Sequence, residues 1–233
     1  MKKLYAEDLK KLFGVYGYFY NLRIGDEVIG CRSVLDIVAH DSTPFNPTDL
    51  LSLKIDSACL MMNPGGSRPI DKSYKPKEIS SSSNIYDECE LVPAVADATQ
   101  YQIMRVMAKM GWNHMRIFNL SDIRQAKSPL FMTKVEDLAT IKDGGVHSMF
   151  HESRSSERLK LMGKAGAAPM ILGWGRDERL LPLVYQALPK LKKWDTYGVK
   201  ANDEGTLYGH PSPMLESKKI EWLASIIKQI KSK

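Results

Sequence analysis

Cysteine is scarce: the 233 residues contain only Cys31, Cys59 and Cys89. They form no CxxC pair and are too scattered for a disulfide framework, which excludes a disulfide-stapled scaffold and fits a reducing cytoplasm. No apolar run approaches the roughly 20 residues of a membrane span, so no membrane partner is expected. The opening Met-Lys-Lys-Leu-Tyr-Ala-Glu-Asp lacks the apolar core of a signal peptide. No repeat of solenoid period and no sustained heptad pattern appears. A P-loop is absent, and Gly173-Trp174-Gly175 is no dinucleotide fingerprint. Charge of one sign is also modest: 33 Lys+Arg against 27 Asp+Glu leave +6, which permits nucleic-acid binding without establishing it. His147 and His151 stand close enough to share a helical face, but no third ligand accompanies them. Neither a metal nor a cofactor is therefore expected.

What is present is ordinary globular composition, 43% hydrophobic and 26% charged, long enough to bury a core without staples. The chain reads as one domain over residues 1–233 with an inserted loop at about 68–92. That stretch shows no helical or strand period and carries four serines at 80–83. Cys59-Leu60-Met61-Met62 reads as a buried strand stopped by Asn63-Pro64-Gly65-Gly66. Asp97 and Gln100 form a capping box for a helix in which Ile103, Val106, Met107 and Met110 share a face and Gly111 ends the run. Further strands are predicted at 115–120, 168–173 and 194–199, with helices at 180–191 and at the C-terminus. The aromatic and β-branched region from Tyr16 to Val38 suits a hairpin. This alternation predicts an α/β fold, a central, mostly parallel sheet flanked by helices on both faces, with an N-terminal β-hairpin.

In open α/β sheets, ligands bind beyond the carboxyl ends of the strands. Three strand ends here carry polar groups: Asn63-Pro64-Gly65-Gly66-Ser67, Phe118-Asn119, and the late Gly209-His210-Pro211-Ser212-Pro213. Each alone has a bland reading as a turn. In this order, however, Met61-Met62-Asn63-Pro64-Gly65, Arg116-Ile117-Phe118-Asn119 and His210-Pro211-Ser212-Pro213-Met214 resemble the motifs of the uracil-DNA glycosylase superfamily. A closer resemblance is to a bacterial and phage family of unknown function thought to share that fold. Its counterparts here are Met62-Asn63-Pro64-Gly65, Asp97-Ala98-Thr99, Gly111-Trp112, Asn119-Leu120 with Arg124, Gly173-Trp174-Gly175 and His210-Pro211.

The resemblance implies a protein that recognises a nucleobase in DNA or in a nucleotide and hydrolyses its N-glycosidic bond. It implies Asn63 as the water-holding residue and His210 as the donor to the departing base. Asn119 would read the base edge, and Gly65 and Gly66 would let the backbone approach the ligand closely. Met214 would fill the gap left by a flipped base. Ser212, Asp97 and Arg124 join the pocket, Arg124 as a phosphate contact. Tyr74 and Tyr86 are candidates for stacking, although loop packing is the simpler reading. There are departures: Gly-Gly-Ser replaces the closer family's Ser-Thr-Ala-Asp, and no Asp stands where the most active uracil glycosylases keep a water-activating carboxylate. Three cysteines also cannot make the four-thiolate iron–sulfur site of some branches. The alternatives are a non-catalytic nucleic-acid- or nucleotide-binding module, and an enzyme acting on free nucleotides.

Overall fold

The computed structural model describes residues 4–80, 85–88, 90–163 and 168–232. Cys89 and three of the four serines at 80–83 lie outside the described residues. A short helix α1 (Ala6–Leu12) leads into strands β1 (Phe13–Ile24) and β2 (Glu27–Ala39). These pair antiparallel around the two-residue connection Gly25-Asp26, where Gly25 takes φ +58°. The remaining strands are β3 (Ser57–Met61), β4 (Lys77–Ser80), β5 (Leu91–Pro93), β6 (His114–Asn119), β7 (Met170–Leu172) and β8 (Thr196–Gly198). Helices α2 (Ala98–Met110), α3 (Ser128–Ala139), α4 (Ser155–Met162), α5 (Leu181–Ala187) and α6 (Glu216–Lys231) complete the layers.

The eight strands among the described residues belong to one sheet, in the order β4-β1-β2-β6-β3-β7-β8, with β5 also pairing β1. The α/β class and the hairpin are as expected, but the sheet is mixed rather than mostly parallel. The parallel block is β6-β3-β7-β8. The hairpin extends the sheet through antiparallel β2/β6 pairing instead of standing apart from it. The stretch at 68–92 is likewise not plain loop: β4 adds parallel to β1, and β5 antiparallel. Strands of three or four residues with one buried side chain each leave little period for a sequence to display.

Alternation along each strand divides the core between the two faces. Ala58 and Leu60 of β3 join Phe118, Met170 and Leu172 beneath α3, α4 and α5. Cys59 and Met61 join Met115, Ile117 and Ile171 beneath α1, α2 and α6. Every residue of β3 and β6 is buried, as strands covered on both faces must be. Fully burying a side chain such as Leu60 stabilises the fold by about 1.5–3 kcal/mol. Helix α2 begins as the capping box predicts: Asp97 Oδ1 accepts from the Thr99 and Gln100 N–H groups at 2.8 and 3.0 Å, and Gln100 Oε1 from the Asp97 N–H at 2.6 Å. It ends at Gly111 in the left-handed conformation, φ +69°.

Two ion-pair networks cross the buried layers. Asp36 of β2 accepts from Arg116 Nε and Nη2 of β6, both at 2.8 Å, and faces His114 Nε2 at 3.0 Å. Arg154 bridges Asp122 and Glu157, each at 2.7 Å, while Tyr20 donates to Asp122 at 2.6 Å. Among the described residues no helix is long and apolar enough to cross a membrane.

A candidate nucleobase cleft at the carboxyl edge of the sheet

The carboxyl ends of β3, β6 and β7 open into a cleft of about 440 Å³. Beyond β3 the chain turns through Asn63-Pro64-Gly65-Gly66, closed by the Ser67 N–H donating to the Pro64 carbonyl at 3.2 Å. Gly65 takes φ +60°, and a Cβ there would meet nothing within 4 Å, so the backbone at this point borders open space. The Asn63 side chain is turned inward: Nδ2 donates to the carbonyls of Ile123 (3.0 Å) and Gln125 (2.8 Å). Its Oδ1 is left as the group that accepts.

Asn119, the last residue of β6, is fully buried. In the amide orientation that satisfies both of its groups, Nδ2 donates to the Asn63 carbonyl at 3.3 Å and Oδ1 accepts from Arg32 Nη2 at 2.8 Å. One N–H and one lone pair of the amide remain. His210 arrives from a loop with several fixed points. The Gly209 carbonyl accepts from Trp222 Nε1 at 3.1 Å, and the Gly209 N–H donates to Val199 at 2.7 Å. Pro211 packs on Gly173, where any Cβ would lie 2.9 Å from the proline ring. The Ser212 N–H donates to His210 Nδ1 at 3.1 Å. Burial pulls the imidazole below its usual range, so at neutral pH the ring is neutral and its proton sits on Nε2.

Asn63, Gly65, Gly66, Asp97, Asn119 and His210 therefore line one cleft. Ser212, Arg124 and Met214 do not. Ser212 acts on the cleft through its backbone bond to His210. Arg124 does not line the cleft: it lies over the Phe19 ring at 5.3 Å and donates through Nε to the Ser67 carbonyl at 2.6 Å. The expected phosphate contact is thus corrected to a brace behind the Asn63–Ser67 turn. Met214 stands 99% exposed beside the His210 loop. Tyr74 and Tyr86 pack against the two cores, and neither lines the cleft. His147 ends one short 3-10 turn and His151 caps the next, so they do not share a helical face, and His147 is buried. Among the described residues no group of three metal-ligating side chains occurs.

Sequence reasoning missed Arg32, and it placed Trp174 in a motif without giving it a role. Arg32 comes from β2, which crosses beside the cleft because its N–H donates to the Asp122 carbonyl at 2.8 Å. The available signal was a charged residue inside a β-branched strand. Trp174 is 1% exposed; its Nε1 donates to the Thr206 carbonyl at 3.1 Å and its ring meets Tyr208 edge-on at 5.1 Å. A second cavity, of about 510 Å³, shares Gly175, Arg176 and His210 with the cleft.

No family model matches the chain, and no curated protein or solved structure shows significant similarity to it.

Proposed function

We propose that the protein recognises a nucleobase, in DNA or in a nucleotide, and hydrolyses its N-glycosidic bond in the manner of uracil-DNA-glycosylase-like proteins. The observation that carries this reading is the convergence of Asn63, Asn119 and His210 on one cleft at the carboxyl edge of the sheet. Breaking the bond leaves positive charge on the sugar and negative charge on the base. A neutral imidazole donating through Nε2–H stabilises the departing base without itself carrying charge. Asn63 Oδ1 accepts from a water, orienting its oxygen toward the sugar carbon. The water oxygen bonds to that carbon as the bond to the base nitrogen breaks, and the water proton is finally taken by the base. Asn119 presents its remaining N–H and lone pair to two adjacent groups on the base edge. With DNA as the ligand, Met214 enters the gap left by the flipped base.

One observation favours the second reading, a non-catalytic binding module. Asn63 is no base, and both carboxylates of the cleft are engaged, Asp97 in the α2 cap and Asp177 with Arg179 at 2.6 Å. Incubation with oligonucleotides carrying uracil, hypoxanthine or mismatches, scored for abasic sites, separates the two. Under the enzymatic reading Asn63→Ala and His210→Ala abolish base release and leave affinity nearly intact, because both groups act in the transition state. Binding without release across the panel supports the module. Affinity that falls steeply as salt rises supports DNA, with its many phosphates, as the ligand, and affinity little changed by salt favours a free nucleotide or a protein partner.

A further inference from the structure

Four arginines of this protein have side chains taken almost wholly out of water: Arg32, Arg116, Arg154 and Arg158. Arg116 is ion-paired with Asp36, and Arg154 with Asp122 and Glu157. Arg158, the most accessible of them, donates to the carbonyls of Met149 and His151. Arg32 differs. It is 2% exposed, donates to Ser67 Oγ at 3.2 Å and to Asn119 Oδ1 at 2.8 Å, and makes no ion pair among the described residues. Its Nε–H has no hydrogen-bond partner among the described residues. A buried guanidinium left without a counter-charge is strongly disfavoured, and burial pulls Arg32 down to about 10, which still leaves it charged at neutral pH. Of the four, Arg32 alone lines the cleft.

We infer that Arg32 is the receptor for a compact oxyanion, a terminal phosphate or carboxylate carried by a small ligand that enters the cleft. The guanidinium fork matches two oxygens of such a group, and Nε–H with a remaining Nη–H supplies two parallel donors. The carboxylates already present do not take this place. Asp97 and Asp122 are near enough to favour the charge on Arg32, but Asp97 caps α2 and Asp122 pairs with Arg154, while Asp177 pairs with Arg179. The helix terminus does not compete for the anion either, since its Thr99 and Gln100 N–H groups are capped. Gly65 borders open space on the same cleft, where a Cβ would meet nothing within 4 Å. This inference does not rest on the nucleobase reading. Joined to it, it makes the ligand a nucleotide with a terminal phosphate, because an internal phosphodiester is held at the surface by the sugars on either side.

The test titrates the full chain with inorganic phosphate and with acetate at constant ionic strength, by calorimetry and by thermal unfolding. Wild type should bind one of the two anions in the millimolar range or tighter and unfold at higher temperature in its presence. Arg32→Met should weaken that binding at least tenfold. Arg32→Lys, which keeps the charge and loses the fork, should fall between, and it serves if the methionine variant does not fold. Arg23→Ala, on the exposed end of β1, should match wild type. Stronger binding of phosphate than acetate assigns a phosphate ligand, and the reverse a carboxylate. Failure of both anions to bind, or equal binding by Arg32→Met, overturns the inference. Deoxyuridine and its monophosphate separate it from the nucleobase reading. Where phosphate is the anion bound, phosphate binding with no binding of deoxyuridine rejects the nucleobase alone, whereas equal binding of nucleoside and monophosphate rejects Arg32 as the receptor of a nucleotide's phosphate.

Discussion

Replacing Asp36 by Asn should destabilise the protein far more than an ordinary core substitution of equal size. The side chain is fully buried between β2 and β6, with Arg116, also 0% exposed, donating two hydrogen bonds to it. Asn keeps the shape but removes the charge that balances the guanidinium. The Asn Oδ1 can accept one of the two bonds, but the NH₂ group then faces the other guanidinium donor, and Arg116 is left with neutral acceptors alone, that amide and the Leu50 and Leu161 carbonyls at 2.8 and 3.2 Å. Breaking one side of such a buried pair costs about 3–5 kcal/mol. For a chain of this size that corresponds to a loss of roughly 6–20 °C in Tm. The pH dependence supplies an independent check. Burial alone would raise the Asp36 carboxyl, but the Arg116 charge and the bonds from Arg116 and His114 overcome it and hold the group down to about 2, from 3.8. A lowered carboxyl contributes stability that is fully present above about 4 and is lost as pH falls toward 2. The shift is worth about 2 kcal/mol, less than the cost of substitution because the Asn NH₂ sets two N–H donors against the donors around it, where a protonated Asp36 brings a single O–H. Urea unfolding of wild type and Asp36→Asn at pH 7 and at pH 3 measures both effects, with an unchanged m-value as the control. A difference below about 1 kcal/mol at pH 7, or one that does not shrink at pH 3, would refute the reasoning.

Asp122 should behave with the opposite sign. Burial and the neighbouring Glu157 outweigh Arg154 and raise it to about 6, so its contribution to stability declines as pH climbs from about 4 through 6. Asp122→Asn should flatten that part of a Tm-against-pH curve, and an unchanged slope would assign it to other groups. Gly144→Ala should cost at the upper end of about 1–3 kcal/mol by denaturant unfolding, because the new Cβ would sit 1.8 Å from the Leu138 carbonyl oxygen and the backbone must move. Met214→Ala should change stability by less than about 0.5 kcal/mol, the side chain being almost wholly in solvent. If duplex DNA is the ligand, that variant should bind duplex more weakly than wild type while binding single strands equally, as gel shifts would report.

The legible parts of this protein are those governed by neighbours in sequence. The α2 boundaries follow from Asp97, Gln100 and Gly111, since capping bonds reach three or four residues and a left-handed residue favours glycine. The buried strand at Cys59–Met61 and the turn after it follow from an apolar run meeting Asn-Pro-Gly-Gly. Those signals also locate Asn63 and Asn119 at strand ends, which in a parallel block face the same edge. Helix α3 has the same kind of local signal, since Phe131, Met132, Val135 and Leu138 share a helical face.

What only the tertiary structure decided depends on partners far apart in the chain. Whether the hairpin joined the sheet was settled by the β2/β6 register and by Asp36 meeting Arg116 across 80 residues. Short strands such as β4 and β5 exist because an edge of β1 was open to pair with them, not because three or four residues prefer that conformation. Arg124 and Arg32 show the same limit at the cleft. Both are arginines beside polar turns, but Arg124 is held by the Ser67 carbonyl and the Phe19 ring, whereas Arg32 reaches the cleft with Nε unpartnered. Residue type and spacing name the groups that can donate or accept. Only the fold determines which of those groups are already satisfied, because the satisfying partner is supplied by a different strand.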